Sequence, residues 1–415
     1  MKILLLQSPT GRREAPIFPL GLACLAGQLR NHDIRGVDLS LYSEFADILK
    51  NELESFKPDV VCISLRNIDD STYPVTYSYM TPFSEIIDVL EQWKGSLLVG
   101  GTGFSIYPEI ILDRYPRIDY GLPGEGEDQL PALLNHIEHG SSIPDWGRGR
   151  LLPWGKVELD AVSSPDYTFL DISHYSTDDA IGIQSRRGCE FNCTYCTYSY
   201  LSGKKFRKRP VVKVLEDIRT LEKLGVSRFQ FVDSVFNAPE DYFEELLSVI
   251  EASETKISWS AWLDDRITPD QLARMRRAGA VKVDFSPDAI SDRGLQRMGK
   301  RGKAADLLPA VKAARALGFH VGINFFNGNP GEGFGSLLRK LWFMFRVRLM
   351  LGHRETFVNI GTIRVYAHSP IASQMINEGL IEKNCDFFDP VFFKTAGPSD
   401  WLYRIFQRMR RLRHG

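Results

Sequence analysis

Cys189, Cys193 and Cys196 form a C-x3-C-x2-C array inside the stretch QSRRGCEFNCTYCTY, residues 184–198. Half of the chain's six cysteines fall in these eight residues, whereas Cys24, Cys62 and Cys385 stand singly. Thiolates grouped on one short loop share a ligand, and three of them suit an iron–sulfur cluster or a tetrahedral metal. A closed structural zinc site takes four protein ligands, and no further Cys or His lies close in sequence. The incomplete set fits a [4Fe–4S] cluster whose fourth iron stays open for a substrate or cosubstrate. Gly188 permits a tight backbone beside such a cluster, and an aromatic, Tyr195, precedes the last cysteine.

The elements that must hold this loop begin with a short strand at 181–184. Strands are expected next over 229–232, 257–263, 281–285, 321–325 and 358–365, separated by amphipathic segments, the pattern of a parallel β/α barrel. Functional residues gather at the carboxyl ends of barrel strands. Those ends carry Asp233-Ser-Val-Phe-Asn237, Asp264-Asp265-Arg266, Ser286-Pro-Asp288 and Phe326-Asn-Gly-Asn-Pro-Gly-Glu332. After the cysteines, Lys204, Lys205, Arg207, Lys208 and Arg209 form a basic run that suits an anionic substrate or a redox partner, or a solvated loop.

Ahead of the barrel, residues 1–140 alternate β-rich runs with amphipathic segments, a doubly wound parallel sheet. Strands are expected over 3–7, 34–39, 60–64, 97–99 and 118–121, and helices near 19–31, 44–55, 82–93, 108–114 and 128–136. The binding crevice of such a sheet lies outside the carboxyl ends of its strands, here residues 7–13, 38–42, 64–67 and Gly100-Gly101-Thr102-Gly103. Neither G-x-G-x-x-G at the first helix nor G-x4-GK[ST] is present, so neither phosphate-binding fingerprint applies. Gly124-Glu-Gly-Glu127 reads as a turn into the next helix rather than a metal-binding acid pair. Residues 141–178, rich in Gly, Pro and Ser, read as a linker with Trp146 and Trp154 packing against either side. The barrel domain then takes 179–378. From 379 to 415 follows an extension with Phe387, Phe388, Phe392 and Phe393, candidates to wall a site, and a basic amphipathic helix, DWLYRIFQRMRRLRHG.

A chain of 415 residues exceeds one ordinary core. With 43% hydrophobic residues, 25% charged and a net charge of −1, it has no basic excess of the kind that nucleic-acid binding needs. No apolar run approaches the ~20 residues of a membrane span. Cysteines grouped as ligands, without a secretory signal, point to a reducing cytoplasm.

The array, its aromatic position and its place after a first barrel strand resemble the radical S-adenosylmethionine (SAM) enzymes. FPLGLACLAGQLR, VDLSLY, CISLRN, LLVGGTGFS and DYGLPGEGE resemble the cobalamin-binding domain that precedes the barrel in one branch of that family. The resemblance implies a Rossmann-like domain followed by a partial (β/α)6 barrel, with a [4Fe–4S] cluster on Cys189, Cys193 and Cys196, SAM and cobalamin as cofactors. In cobalamin domains of the methionine-synthase kind a D-x-H-x-x-G histidine ligates cobalt from below. This chain has Asp38-Leu39-Ser40 there, so that histidine is absent, which is similar to the radical SAM branch, where the cofactor is commonly held without a lower axial histidine. Carried over to this sequence, Ser64, Leu65, Gly100 and Gly101 fall at the corrin edge and nucleotide tail, glycine allowing close backbone approach.

For SAM, the resemblance implies Tyr195; Asp233 and Asn237 in place of the family's Gly-Gly-Glu, a carboxylate facing an ammonium; Ser286 and Asp288 for ribose hydroxyls; and Asn324 and Pro330 at adenine and ribose. Leu295 and Lys300 agree with the family's pattern. The Thr that usually follows the G-x-P-G-E turn is missing. The implied function is a C-methyltransferase acting on an unactivated carbon, in which a 5'-deoxyadenosyl radical removes hydrogen and methylcobalamin supplies the methyl group. Alternatives are cyclisation, rearrangement or ring contraction without net methyl transfer, and a non-catalytic cobalamin-binding protein. Expected partners are a small-molecule, lipid or peptide substrate and a reductant such as flavodoxin or ferredoxin. No catalytic side chain is singled out.

Overall fold

The computed structural model describes residues 1–10, 15–147, 149–351, 356–393 and 403. They fall into two compact units: 1–70 with 77–183 and 207–226, and 71–76 with 184–206 and the chain from 227 onward.

In the first unit five parallel strands, β1 (Lys2–Gln7), β2 (Asp33–Asp38), β3 (Val60–Ser64), β4 (Ser96–Gly100) and β5 (Tyr120–Leu122), lie in the order β2-β1-β3-β4-β5. Strand β1 is apolar on both faces from Ile3 to Leu6, as a central parallel strand covered by helices on each side must be. Ile3 and Leu5 meet Leu22, Ala26 and Leu29 around α1 (Leu20–Gln28) and Leu130, Leu133 and Leu134 of α6 (Gln129–His139). Between them in sequence lie α2 (Phe45–Phe56), α3 (Met80–Leu90), α4 (Thr102–Ile106) and α5 (Pro108–Arg114). Strand order reverses at β1, which pairs with both β2 and β3, so the switch point sits where β1 and β3 end.

The stretch read as a linker is packed structure. Gly121 donates its N–H to the Arg150 carbonyl at 2.7 Å and Leu152 donates back to Gly121 at 2.9 Å, so residues 150–152 extend the sheet edge beyond β5. Trp146 packs on Tyr120 and His136. The physical reason is that β5 has a free edge whose backbone groups need partners.

In the second unit β6 (Arg228–Phe231), β7 (Ser258–Leu263), β8 (Ala280–Asp288), β9 (His320–Asn327) and β10 (Thr356–Val365) run parallel in sequence order, and β11 (Val391–Phe393) pairs antiparallel with β10. The helices are α7 (Tyr198–Ser202), α9 (Glu240–Ala252), α10 (Pro269–Arg277), α11 (Asp292–Arg297), α12 (Leu307–Ala316), α13 (Phe334–Leu351) and α14 (Pro370–Asn377); α8 (Val211–Lys223) and the short strand Gly182–Ile183 are grouped with the first unit. Alternation along the strands sorts two faces. Phe229, Phe231 and Trp259 pack together on the helix side, and Phe325 meets Phe343 of α13. The opposite face carries Asp284, Gly322, Asn324 and Phe326.

Phe387 and Phe393, expected as walls of a site, are core residues. They are buried with Ile363, Val365, Ile371 and Met375, because β11 covers the edge of β10. The basic amphipathic helix expected near the end of the chain falls, apart from Tyr403, outside the described residues. Among the described residues no helix is long and apolar enough to cross a membrane.

Candidate functional site

The cysteine loop is stitched to distant parts of the second unit by main-chain bonds. Cys189 donates its N–H to the Gly203 carbonyl at 3.1 Å and Thr194 to that of Met298 at 3.0 Å, while Ile371 donates to Thr194 at 2.8 Å. Gly299 has φ +70°, and a Cβ there would lie 2.1 Å from the Asn192 carbonyl oxygen, so only glycine lets this turn approach the loop. The Tyr198 N–H points at the Cys196 Sγ at 3.4 Å, and Arg301 lies over the Phe191 ring and donates to the Glu190 carbonyl.

All three thiols are free and half-buried. Burial pushes Cys193 up to about 11, with the neighbouring Lys300 pulling against it, and burial raises Cys196 as well. The thiols also raise one another, which places them in mutual electrostatic reach. Among the described residues no three His, Cys, Asp or Glu side chains converge on a single-ion site; thiolates around a four-iron cube stand further apart than ligands of one ion. This donor set, soft and three-fold on one loop, fits the [4Fe–4S] group.

Beneath the loop lies a buried charged network. The Tyr195 hydroxyl donates to Asp288 Oδ2 at 2.6 Å, the same oxygen pairs with Lys300, and Lys300 Nζ donates to the Ser286 carbonyl at 2.8 Å. Asp288 is 2% exposed and has φ +65°. Burial pushes its carboxyl up, and the Lys300 ammonium and Tyr195 hydroxyl pull it back. The Tyr195 ring meets Phe326 of β9 edge-on, centroids 5.0 Å apart. Asn329 donates to the Asp288 carbonyl at 2.7 Å and to Glu332 at 3.1 Å; Glu332 pairs with the buried Lys340 and accepts from the Ile290 N–H at 3.0 Å.

Tyr195, Ser286, Asp288 and the buried Pro330 are thus brought to one end of the barrel sheet, with Asn324 on the same face as Phe326. Asn329 was not foreseen, although it stands in the expected turn: its Oδ1 is buried without a partner, an acceptor that a donor on bound SAM would satisfy. Asp265, also at a strand end, is pushed up to about 6 by burial and by the neighbouring Asp264.

Two expected SAM contacts are engaged elsewhere. Asp233 accepts from the Ser185 N–H at 2.8 Å, the Ser185 hydroxyl at 2.6 Å and the Arg186 N–H at 3.1 Å, and it pairs with Arg186 at 3.5 Å with both side chains fully buried. Its carboxylate faces the strand end before the cysteine loop, since a buried guanidinium needs a counter-charge. Asn237 clamps the Asp264 backbone, donating to its carbonyl at 3.1 Å and accepting from its N–H at 2.8 Å. Neither caps a helix or presents a free group to an ammonium. Two members of the basic run are likewise engaged. Arg207 pairs with Glu125 and donates to the Val157 carbonyl at 2.7 Å, and Arg209 pairs with Asp217 at 2.7 Å. Within Gly124-Glu-Gly-Glu127 it is Glu125 that serves the pairing with Arg207.

At the carboxyl ends of the first sheet, Ser8 donates its N–H to the Ser64 carbonyl at 3.1 Å and Leu65 donates to Gly100 at 2.9 Å. Gly101, with φ +100° and ψ 171°, starts α4, and a Cβ there would lie 2.7 Å from the Leu65 carbonyl oxygen. A Cβ on Gly103 would lie 2.8 Å from the Asn67 backbone. The expectation that glycine admits a macrocycle here meets a different demand: the side positions of Gly101 and Gly103 face the chain's own backbone. Asp38, where a cobalt-ligating motif would start, accepts from the Ser40 N–H and from the Tyr175 hydroxyl, both at 2.9 Å, and burial raises its carboxyl. Ser8 and Ser40 keep buried hydroxyls without partners at the ends of β1 and β2, and these are polar groups a ligand in the switch-point crevice would satisfy. That is the sense in which this end fits cobalamin.

Two family models match this chain: the Radical SAM superfamily over residues 183–341 and the B12 binding domain over 10–134. The chain carries a radical SAM domain together with a B12-binding domain. The two domains imply a [4Fe–4S] cluster, SAM and cobalamin as cofactors. An uncharacterized methyltransferase, PH0819, of Pyrococcus horikoshii is 28% identical over 353 residues, 80% of this chain and 75% of its own length. The hopanoid C-3 methylase of Methylococcus capsulatus is 28% identical over 337 residues; the match takes in 74% of this chain but only 60% of that enzyme. Among solved structures, the radical SAM methyltransferase TsrM of Kitasatospora setae, with tryptophan substrate and a SAM analogue bound, superposes with a TM-score of 0.79 at 18% identity, covering 96% of this chain and 82% of TsrM. That likeness establishes the fold.

Proposed function

We propose that the protein is a cobalamin-dependent radical SAM methyltransferase that places a methyl group on an unactivated carbon. The observation that carries the reading is the pairing in one chain of a three-cysteine radical SAM loop with a B12-binding domain, and relatives bearing both methyltransferase and methylase names support it. When bound, the cluster with SAM supplies a hydrogen-abstracting radical and cobalamin supplies a transferable methyl group.

In this reading Cys189, Cys193 and Cys196 ligate the cluster. Tyr195, held by Asp288 and backed by Phe326, fixes the loop that carries them. Asn329 and Asn324 offer amides on the face where SAM is expected, and the buried turn through Pro330 shields that face from water. Asp233 acts on the loop through Ser185 and Arg186 rather than on SAM. In the first unit Ser8, Ser40 and Ser64, with Leu65, Gly100 and Gly101, line the crevice expected to take cobalamin. The substrate is a small molecule, lipid or peptide, and a flavodoxin or ferredoxin serves as reductant.

Anaerobically reconstituted protein, given a reductant, cobalamin and SAM labelled in its methyl group, is tested against extracts of a deletion strain. Label in a product that accumulates only with enzyme supports methylation. Deoxyadenosine with an unlabelled new product assigns cyclisation or rearrangement instead, and intact SAM overturns the enzymatic reading.

A further inference from the structure

Helix α13 carries a feature that neither the cysteine loop nor the SAM face uses. Phe334, Leu338, Trp342, Phe345 and Leu349 are all exposed, Trp342 at 59% and Leu349 at 69%. Their spacing of four, four, three and four places them, at 3.6 residues per turn, within an arc of about 80°. Trp342 and Phe345 stack on each other at 5.5 Å. The opposite side of the helix is already committed: Leu337, Lys340 and Val347 are buried, and Phe343 packs on Phe325 of β9 at 5.6 Å. The apolar stripe is therefore an outward surface of the second unit, larger than the scattered apolar side chains any surface shows.

Its rim is cationic. Arg339 and Arg346 flank one edge of the stripe and Arg348 the other, and the helix, FGSLLRKLWFMFRVRLML, has no Asp or Glu. Aromatic and leucine side chains between arginine edges are the pattern of a helix that lies in the plane of a lipid interface. Charge decides among occupants. A second copy of this face would set arginine rims against arginine rims with no acid on either helix, which is unfavourable for an isologous pairing. Residues 404–415 of the same chain carry five arginines and no acid, so they offer no complement. Anionic lipid headgroups do.

We propose that the outer face of α13 docks this protein on an anionic phospholipid bilayer, with Phe334, Leu338, Trp342, Phe345 and Leu349 seated among the acyl chains and Arg339, Arg346 and Arg348 on the headgroup phosphates. The proposal stands apart from the methyl-transfer reading, since it needs neither cofactor nor turnover. The test is co-sedimentation of the reconstituted full chain with vesicles of phosphatidylcholine alone and of phosphatidylcholine mixed equally with phosphatidylglycerol. Expected are preferential binding to the mixed vesicles that weakens with salt, roughly a tenfold or greater loss in a Trp342→Glu, Leu349→Glu variant, and loss of the phosphatidylglycerol preference in an Arg339→Gln, Arg346→Gln variant. Retained cluster absorbance and far-ultraviolet circular dichroism show that the variants are folded, and the arginine pair, being exposed, tests the idea even if the glutamate pair is not. No vesicle binding by the wild type overturns the proposal, as does binding that survives both variants. A dimer in sedimentation velocity that the glutamate pair dissolves assigns the face to a second copy and overturns it too.

Discussion

At the carboxyl ends of the first sheet the glycine turn is pinned by neutral hydrogen bonds, Leu65 to Gly100 and Gly103 to Leu65 along the main chain and the Thr102 and Ser105 hydroxyls to the Arg66 and Gly101 carbonyls, whereas the cysteine loop of the second unit rests on buried charge. Asp233 with Arg186, Asp288 with Lys300 and Glu332 with Lys340 all lie under or beside it. A turn held by neutral hydrogen bonds tolerates the loss of one side chain better than a change of backbone shape. A charged foundation tolerates small shape changes but not the loss of one partner, because the other charge is then stranded in low dielectric. The two ends should therefore fail in different ways.

The largest effect is expected where ligand chemistry is removed outright. Cys193→Ala should reduce iron content and cluster absorbance after anaerobic reconstitution to background and abolish SAM cleavage, while cobalamin uptake persists; uptake lost together with iron would deny that the two ends are built independently. Next comes the foundation. Asp233→Ala strands Arg186, and chemical denaturation of the apoprotein should show a loss of about 3–5 kcal/mol, against a smaller loss for Asp233→Asn, which keeps the hydrogen-bonding shape. If Asp233 instead met SAM, stability would hold and the KM for SAM would rise.

Gly101→Ala attacks the backbone-built end. Its φ and ψ belong to a region almost confined to glycine, and the cost is about 1–3 kcal/mol, with cobalamin uptake weakened and iron content unchanged. The smallest effect is a pH dependence. Asp265 is raised by burial, so the fold favours its protonated form: stability on this account is greatest below the unfolded value near 4 and is lost as pH rises through about 6. Asp265→Asn should flatten that slope by on the order of 1–2 kcal/mol, measured as the difference in unfolding free energy between the ends of that window.

The comparison also explains what was legible in the sequence. Strand β1, apolar for four residues, and the alternation along β9 announced themselves because periodicity is a local property. The cysteine spacing did so for the same reason. Asp233 was misread because its partner, Arg186, is 47 residues away and nothing local says which of several carboxylates at strand ends turns inward. The Gly, Pro and Ser content of 141–178 suggested a linker, yet β5 offered an unpaired edge that only the folded sheet reveals. Strand β11 hid behind four phenylalanines whose burial depends on β10. The stripe on α13 was present in the spacing all along, but an apolar helical face is ordinarily core, and only its exposure sets it apart.

The cysteine loop draws its main-chain bonds from Met298 and from Ile371, the latter 175 residues beyond Cys196. A polypeptide emerging from the ribosome cannot complete that arrangement until α14 has been synthesised and docked. Iron delivered earlier would meet three sulfurs on a loop not yet pinned at Thr194.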